Sequence, residues 1–211
     1  MAHSRALKAA ILGSGTFLLK FTGLVSAAIL SRIFTKTDYA AYKQVFLSYN
    51  FVYPLLILGL PSSLYYFLPR NKKKGRSILS GNLLLSLVMG TIFALAIWLG
   101  ANHLLAKRFN NPALSPLLLL LIPYALVALP IASLGPCLIS SDRVKTLVVF
   151  NVASRIGIFA CVMGLVLIWR TPFAAVSGTV VAELLIFFPA IFLMYRAVED
   201  GNWRPTEADG V

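Results

Sequence analysis

The chain has 211 residues, of which 59% are hydrophobic and 12% charged; soluble domains run near 45–50% apolar and about 25% charged. A soluble globular domain is therefore excluded, and the length suits one compact membrane bundle. The formal charge of +12 would suggest nucleic acid in a soluble protein. Here the cations gather in short connections between apolar runs, where topology and anionic lipid account for them, so no nucleic-acid partner is expected.

A helix needs about 20 apolar residues to cross the hydrocarbon. Six segments meet that length: 9–34, 44–68, 78–105, 114–139, 146–169 and 173–196. The expected fold is all-α, a six-helix transmembrane lobe over residues 1–196. A polar tail, residues 197–211, is expected to be disordered. The expected connections, Thr35–Lys43, Pro69–Ser77, Ala106–Ala113, Ser140–Lys145 and Arg170–Pro172, are short enough to make neighbours antiparallel.

The first segment carries Lys20 in the middle of GTFLLKFTGL (Gly15–Leu24). Arg5, Lys8 and the Val25-Ser26-Ala27 site resemble a signal peptide. Lys20 interrupts that apolar run, however, and apolar sequence continues to Phe34, so a retained span is expected. Gly13, Thr16, Lys20, Ala27 and Ser31 fall on one helical stripe of small and polar residues.

The second segment holds Pro54 and Pro61 and is rich in tyrosine. Tyr39, Tyr42 and Tyr49 would suit an outer interfacial belt, and Tyr65 and Tyr66 an inner one. The alternative is an aromatic platform for sugar rings, with Asn50 and Tyr53 beside it. After it, RNKKKGR (Arg70–Arg76) reads as a topology signal and an anionic-lipid contact. The fourth segment carries Pro123, Pro130 and Pro136, and the sixth Pro189. Each proline removes a backbone hydrogen bond and tends to bend its helix. YPLLILGLP (Tyr53–Pro61) and PYALVALPIASLGP (Pro123–Pro136) are expected to bend.

Basic residues set the orientation. With the N-terminus cytoplasmic, Arg5, Lys8, Arg70, Lys72, Lys73, Lys74, Arg76, Arg143, Lys145, Arg196 and Arg204 lie inside. Lys36, Lys43, Lys107, Arg108 and Arg170 lie outside, with Arg32 near that border. Both termini are therefore expected in the cytoplasm.

Lys20, Arg155 and Glu183 remain within spans. Each would cost roughly 2.5–3.5 kcal/mol against lipid at a helix centre. They should face the bundle interior, a partner or water. At about 1.5 Å per residue, Arg155 lies about 14 Å from the cytoplasmic end, Lys20 about 17 Å and Glu183 about 20 Å. Asn151 and Arg155 are four apart, as are Thr179 and Glu183. An Arg155–Glu183 ion pair fixing the last two spans is one reading. The other is a positive mid-membrane cavity for an anionic headgroup, with Glu183 as a candidate coupling site.

No catalytic set emerges, and an enzyme is not expected. His3 is terminal, His103 stands alone, and the paired Glu199 and Asp200 lie at the inner end. No metal or other cofactor is implied, and Cys137 and Cys161 read as small packing residues.

GSGTFLLKFTGLVSAAILSRIFTKTDYAAYKQVFL, followed by YPLLILGLPSSLYYFLPR, resembles the N-terminal portion of polysaccharide exporters. These are the Wzx-type lipid-linked oligosaccharide flippases of the multidrug/oligosaccharidyl-lipid/polysaccharide exporter superfamily. The shared elements are the small-residue first span, Asp38-Tyr39 opening the second, Gly59-Leu60-Pro61, and the closing Leu68-Pro69-Arg70. The resemblance covers residues 10–76; beyond them it is topological, with SSDRVK after the fourth span fitting.

It implies two six-helix lobes around a cationic cavity in the bacterial inner membrane. It also implies export of an undecaprenyl-pyrophosphate-linked glycan, such as an O-antigen or lipopolysaccharide precursor, by alternating access. Lys20, Arg155, Asn50, Tyr53 and Asn151 would then be the substrate-binding candidates. This chain resembles one lobe, so the second lobe is expected from a missing half or a partner chain. The rival readings are a small-molecule or drug exporter of the same superfamily and a non-transporting assembly subunit.

Overall fold

A computed structural model describes residues 21–199, and every regular element among them is helical. Lys20, the first half of the first expected span and nearly all of the tail lie outside the described residues. Helix α1 is described over Phe21–Ile33. Five further stretches are long and apolar enough to cross a membrane: Lys36–Arg70, Gly75–Arg108, Leu114–Ser140, Val144–Trp169 and Pro172–Glu199. The protein is a polytopic, all-α membrane bundle.

The elements are α2 (Lys36–Ile57), α3 (Leu60–Arg70), a 3-10 turn (Lys72–Lys74), α4 (Gly75–Ala96), a π-helical segment (Ile97–Ala101) and α5 (Asn102–Arg108). Then follow α6 (Leu114–Leu119), α7 (Leu121–Ile131), α8 (Leu134–Ser140), α9 (Val144–Trp169) and α10 (Pro172–Glu199). The helices reach further into the connections than the apolar runs do. Thr35–Lys43, expected as a loop, is helical from Lys36. The reason is local: the Asp38 backbone N–H donates to Thr35 Oγ1 at 3.2 Å, and that hydroxyl donates to the Asp38 carboxylate at 2.7 Å. The threonine thereby caps the helix. Pro69–Ser77 shrinks in the same way to a short turn between α3 and α4.

The two proline-rich segments break where expected. The second span breaks at Leu58 (φ 43°) and Gly59 (φ 73°), both left-handed, and α3 restarts with Pro61 in its first turn. In the fourth span Pro123 and Pro136 lie in the first turns of α7 and α8. A proline ring clashes with the carbonyl four residues earlier. Those positions are Leu119 and Ala132, where α6 ends and α7 has just ended. Pro189 leaves α10 continuous. The third span has an irregularity without any proline, the π-helical segment in which Gly100 takes φ 117°.

Three apolar clusters hold the bundle. One joins α2, α4, α6, α7 and α10 around Val45, Tyr49, Ile97, Leu118 and Val180. A second, at the opposite end, joins α3, α4, α8, α9 and α10 around Leu64, Leu79, Leu138 and Met194. The third packs Leu30 and Phe34, from the first span and its end, on Val162, Met163 and Val166 of α9 and Ala174 and Ala175 of α10. Cys137 is buried in the second cluster and Cys161 is half-buried. Arg76 pairs with Glu199 at 2.5 Å, and Ser80 with Tyr195 at 2.8 Å, closing that second end.

A polar clamp ties the two breaks together. Asn82 on α4 is buried. Its amide donates to the Leu60 carbonyl just past the first break, at 2.5 Å. Its carbonyl oxygen accepts from the Ser133 hydroxyl at the second break, at 2.7 Å. Asn82→Ala leaves the wholly buried Ser133 hydroxyl without this acceptor. The expected loss is about 1–2 kcal/mol, read as a lowered Tm of the detergent-solubilised protein. A Tm equal to wild type would mean the clamp adds nothing.

Candidate functional site

A cleft of about 650 Å³ opens among α1, α2, α7, α8, α9 and α10. Helical periodicity builds each wall. On α2, Lys43, Phe46 and Asn50 are spaced three and four apart and share one face. On α9, Leu147, Asn151, Ser154, Arg155 and Ile158 do the same, as do Thr179, Glu183 and Ile186 on α10. Gly23, Ser26, Ala27 and Leu30 bring the small face of α1 to it.

Two of the charged groups stand near mid-helix. Arg155 stands about 17 Å along α9 from Val144, and Glu183 about 17 Å along α10 from Pro172. Each helix runs about 40 Å, so both groups lie far from either end of their helices. Arg155 is exposed and Glu183 half-buried. They line the same cleft, and no ion pair joins them among the described residues. Lys43 adds a second cation, with its ammonium 5.4 Å from the Tyr39 ring centre and 5.9 Å from that of Tyr42. The described lining therefore holds two cations and one carboxylate. In a low-dielectric setting such a site favours an anion.

An aromatic layer stands behind the α2 wall. Tyr49 packs edge-on against Tyr124 at 4.9 Å and Phe93 at 5.8 Å, and lies 5.6 Å from Tyr53. Phe46 meets Tyr42 at 5.3 Å and Tyr124 at 5.7 Å. This corrects part of the interfacial-belt expectation. Tyr49 is 3% exposed and belongs to the core, because α4 and α7 each bring a ring against it. Tyr65 and Tyr66 are exposed as expected of an interface, and Tyr66 bonds Arg70.

Of the candidate residues, Asn50, Asn151, Arg155 and Glu183 come together on the cleft. Tyr53 sits in the aromatic layer, its ring on Tyr49. Lys20 lies outside the described residues. Of its expected stripe, Ala27 lines the cleft, while Ser31 is exposed and donates to the Ala28 carbonyl. The sequence reading missed Lys43, counted there as an outer-loop cation, and Tyr124. For Lys43 a signal existed: it stands seven residues before Asn50, on the same face of a helix that begins at Lys36.

A protein-family model described as polysaccharide biosynthesis protein matches residues 6–206. No curated protein and no solved structure matches the chain.

Proposed function

The chain belongs to the polysaccharide biosynthesis protein family, and from that premise we propose that it is a membrane exporter, or one lobe of it. Its cargo is an undecaprenyl-pyrophosphate-linked oligosaccharide. It carries that cargo to the outer leaflet of the bacterial inner membrane by alternating access, with both of its own termini cytoplasmic. The observation that carries this reading is the net-positive cleft among the long apolar helices. Arg155 and Lys43 attract the pyrophosphate, Asn50 and Asn151 offer hydrogen bonds, and the Tyr42–Phe46–Tyr124 edge gives apolar rings against which a sugar can lie.

The exposure of Arg155 supports a second lobe. A guanidinium facing lipid at mid-span costs roughly 2.5–3.5 kcal/mol, so water and another bundle must cover it. The breaks at Leu58–Gly59 and Ala132–Ser133 supply places where α2 and α7 can bend between inward- and outward-open states. Glu183, beside the cations, is the candidate for ion or proton coupling. A drug exporter for organic cations is the weaker reading, because the cleft's net charge repels them.

Lys20 stands three and seven positions before the cleft-lining Gly23 and Ala27 in the sequence. We place it with Arg155 at the pyrophosphate. Lys20→Ala is expected to lower glycan export by the assembled transporter at least tenfold, read as surface glycan at matched protein level. Unchanged export would remove Lys20 from the site. For the reading as a whole, the purified protein in nanodiscs should bind a short-chain polyprenyl pyrophosphate. It should discriminate by about tenfold or more against the uncharged polyprenol. Equal binding of the two would sink it.

A further inference from the structure

Helix α5 and the connection after it form a second pocket, of about 340 Å³, lined by His103, Lys107, Asn110, Asn111 and Ser115 among others. It lies apart from the cleft and shares no lining residue with it. The chain departs from α-helical geometry just before it: the π-helical segment ends at Ala101, with Gly100 at φ 117°. Such segments re-aim the side chains that follow, and they recur at functional sites.

The polar groups here form a chain with a direction. Asn102 is 4% exposed, and its amide nitrogen donates to Ser115 Oγ at 3.1 Å. Ser115 Oγ lies 3.2 Å from His103 Nδ1. When the hydroxyl donates to Nδ1, the imidazole proton sits on Nε2 and is left to donate elsewhere. When Nδ1 is protonated it donates to the serine, and the serine hydroxyl proton is freed instead. In both states the unit presents a donor. Lys107 adds a full positive charge and three more. Asn111 is held in place by donating to Gln44 Oε1 at 3.0 Å. The pocket has no phenylalanine, tyrosine or tryptophan in its lining, so it lacks the broad apolar face on which a neutral sugar ring stacks.

We propose that this pocket binds a small oxyanion, a carboxylate or phosphate group, at the membrane face where the third and fourth spans meet. Its chemistry is shared by an acidic sugar, a lipid phosphate and free phosphate. His103 is its reporter. The chain has two histidines, His3 and His103, so a His3→Ala background leaves a single imidazole signal.

The test uses that variant, with labelled histidine, in micelles of a phosphate-free non-ionic detergent. It is titrated with sodium glucuronate, inorganic phosphate and glucose while the His103 nitrogens are followed by NMR. A saturable shift with at least one anion is expected, weakened about tenfold in Lys107→Gln. A response to glucuronate alone assigns the site to acidic sugars, and one to phosphate alone to phosphate groups. Ser115→Ala should also weaken binding, because it breaks the relay without touching the charge. Absence of a saturable shift with either anion overturns the proposal, as does an equal response to glucose or an unchanged affinity in Lys107→Gln. The readout does not depend on export, so it stands apart from the fate of the cleft.

Discussion

Arg155→Glu is expected to abolish glycan export, while Arg155→Lys keeps a measurable part of it. The reversal takes the described cleft lining from one net positive charge to one net negative. At about 4 Å and an effective dielectric near 20, one unit-charge contact is worth about 4 kcal/mol. Turning that attraction into repulsion moves the binding free energy of an anionic headgroup by several kcal/mol. At 1.4 kcal/mol per decade, affinity falls by roughly a thousandfold or more. Lysine keeps the charge and loses only the planar two-pronged fork that grips phosphate oxygens, so a loss of about tenfold is expected. Surface glycan in cells that depend on the variant transporter reads both. Arg155 is exposed, so the change disturbs little packing, and membrane levels of the protein serve as the control. Wild-type export by Arg155→Glu would exclude a direct role for this side chain.

On the proposed function, the same electrostatics gives Glu183 a role in the cleft it lines. A carboxylate in a cleft with Arg155 and Lys43 limits how firmly the cations hold an anion. Transport needs a site that binds well enough to load and weakly enough to release. On the proposed function, an anionic headgroup arriving at Arg155 would meet Glu183 as a competitor built into the wall, and protonation of that carboxyl would remove the competition. On that proposal, coupling would sit at the cleft itself rather than at a distant gate.

The spans were legible because hydrocarbon thickness demands long apolar runs, and runs such as 146–169 are visible one residue at a time. The helix starts were less so: Thr35 and Asp38 cap α2 through two local hydrogen bonds, yet the polar TKTD stretch looks like a loop to any count of hydrophobic residues. That error put Lys43 in a loop and away from Phe46 and Asn50, with which it shares a helix face on the cleft. The burial of Tyr49 depends on Phe93 and Tyr124, which arrive from α4 and α7; a pattern along one helix holds no record of them. Asn82 was hidden for the same reason, since its partners Leu60 and Ser133 are 22 and 51 residues away. Arg155, Asn151 and Glu183, which line the cleft, drew notice in the sequence because a charge or amide in an apolar run stands out alone, before any partner is known.

A tight approach of α9 and α10 at Gly178 sets the last expectation. Gly178 is buried on α10, and a methyl group there would lie 2.8 Å from the Val162 α-carbon and 3.0 Å from the Cys161 carbonyl oxygen. These are backbone atoms, so no side chain can swing aside; the helices themselves must part. Small residues at such crossings let membrane helices pack backbone to backbone. Gly178→Ala should therefore cost about 1–3 kcal/mol, and Gly178→Val more. The displacement would also shift Glu183, little more than one turn further along α10, relative to Arg155 on α9. Gly164→Ala on α9 is the matched control, because its added methyl meets no atom within 4 Å and alanine favours the helix by up to about 1 kcal/mol. Thermal unfolding in detergent should show Gly178→Val well below wild type and Gly164→Ala level with it or above. If the two variants fall together, the tight crossing is not what holds the last two helices.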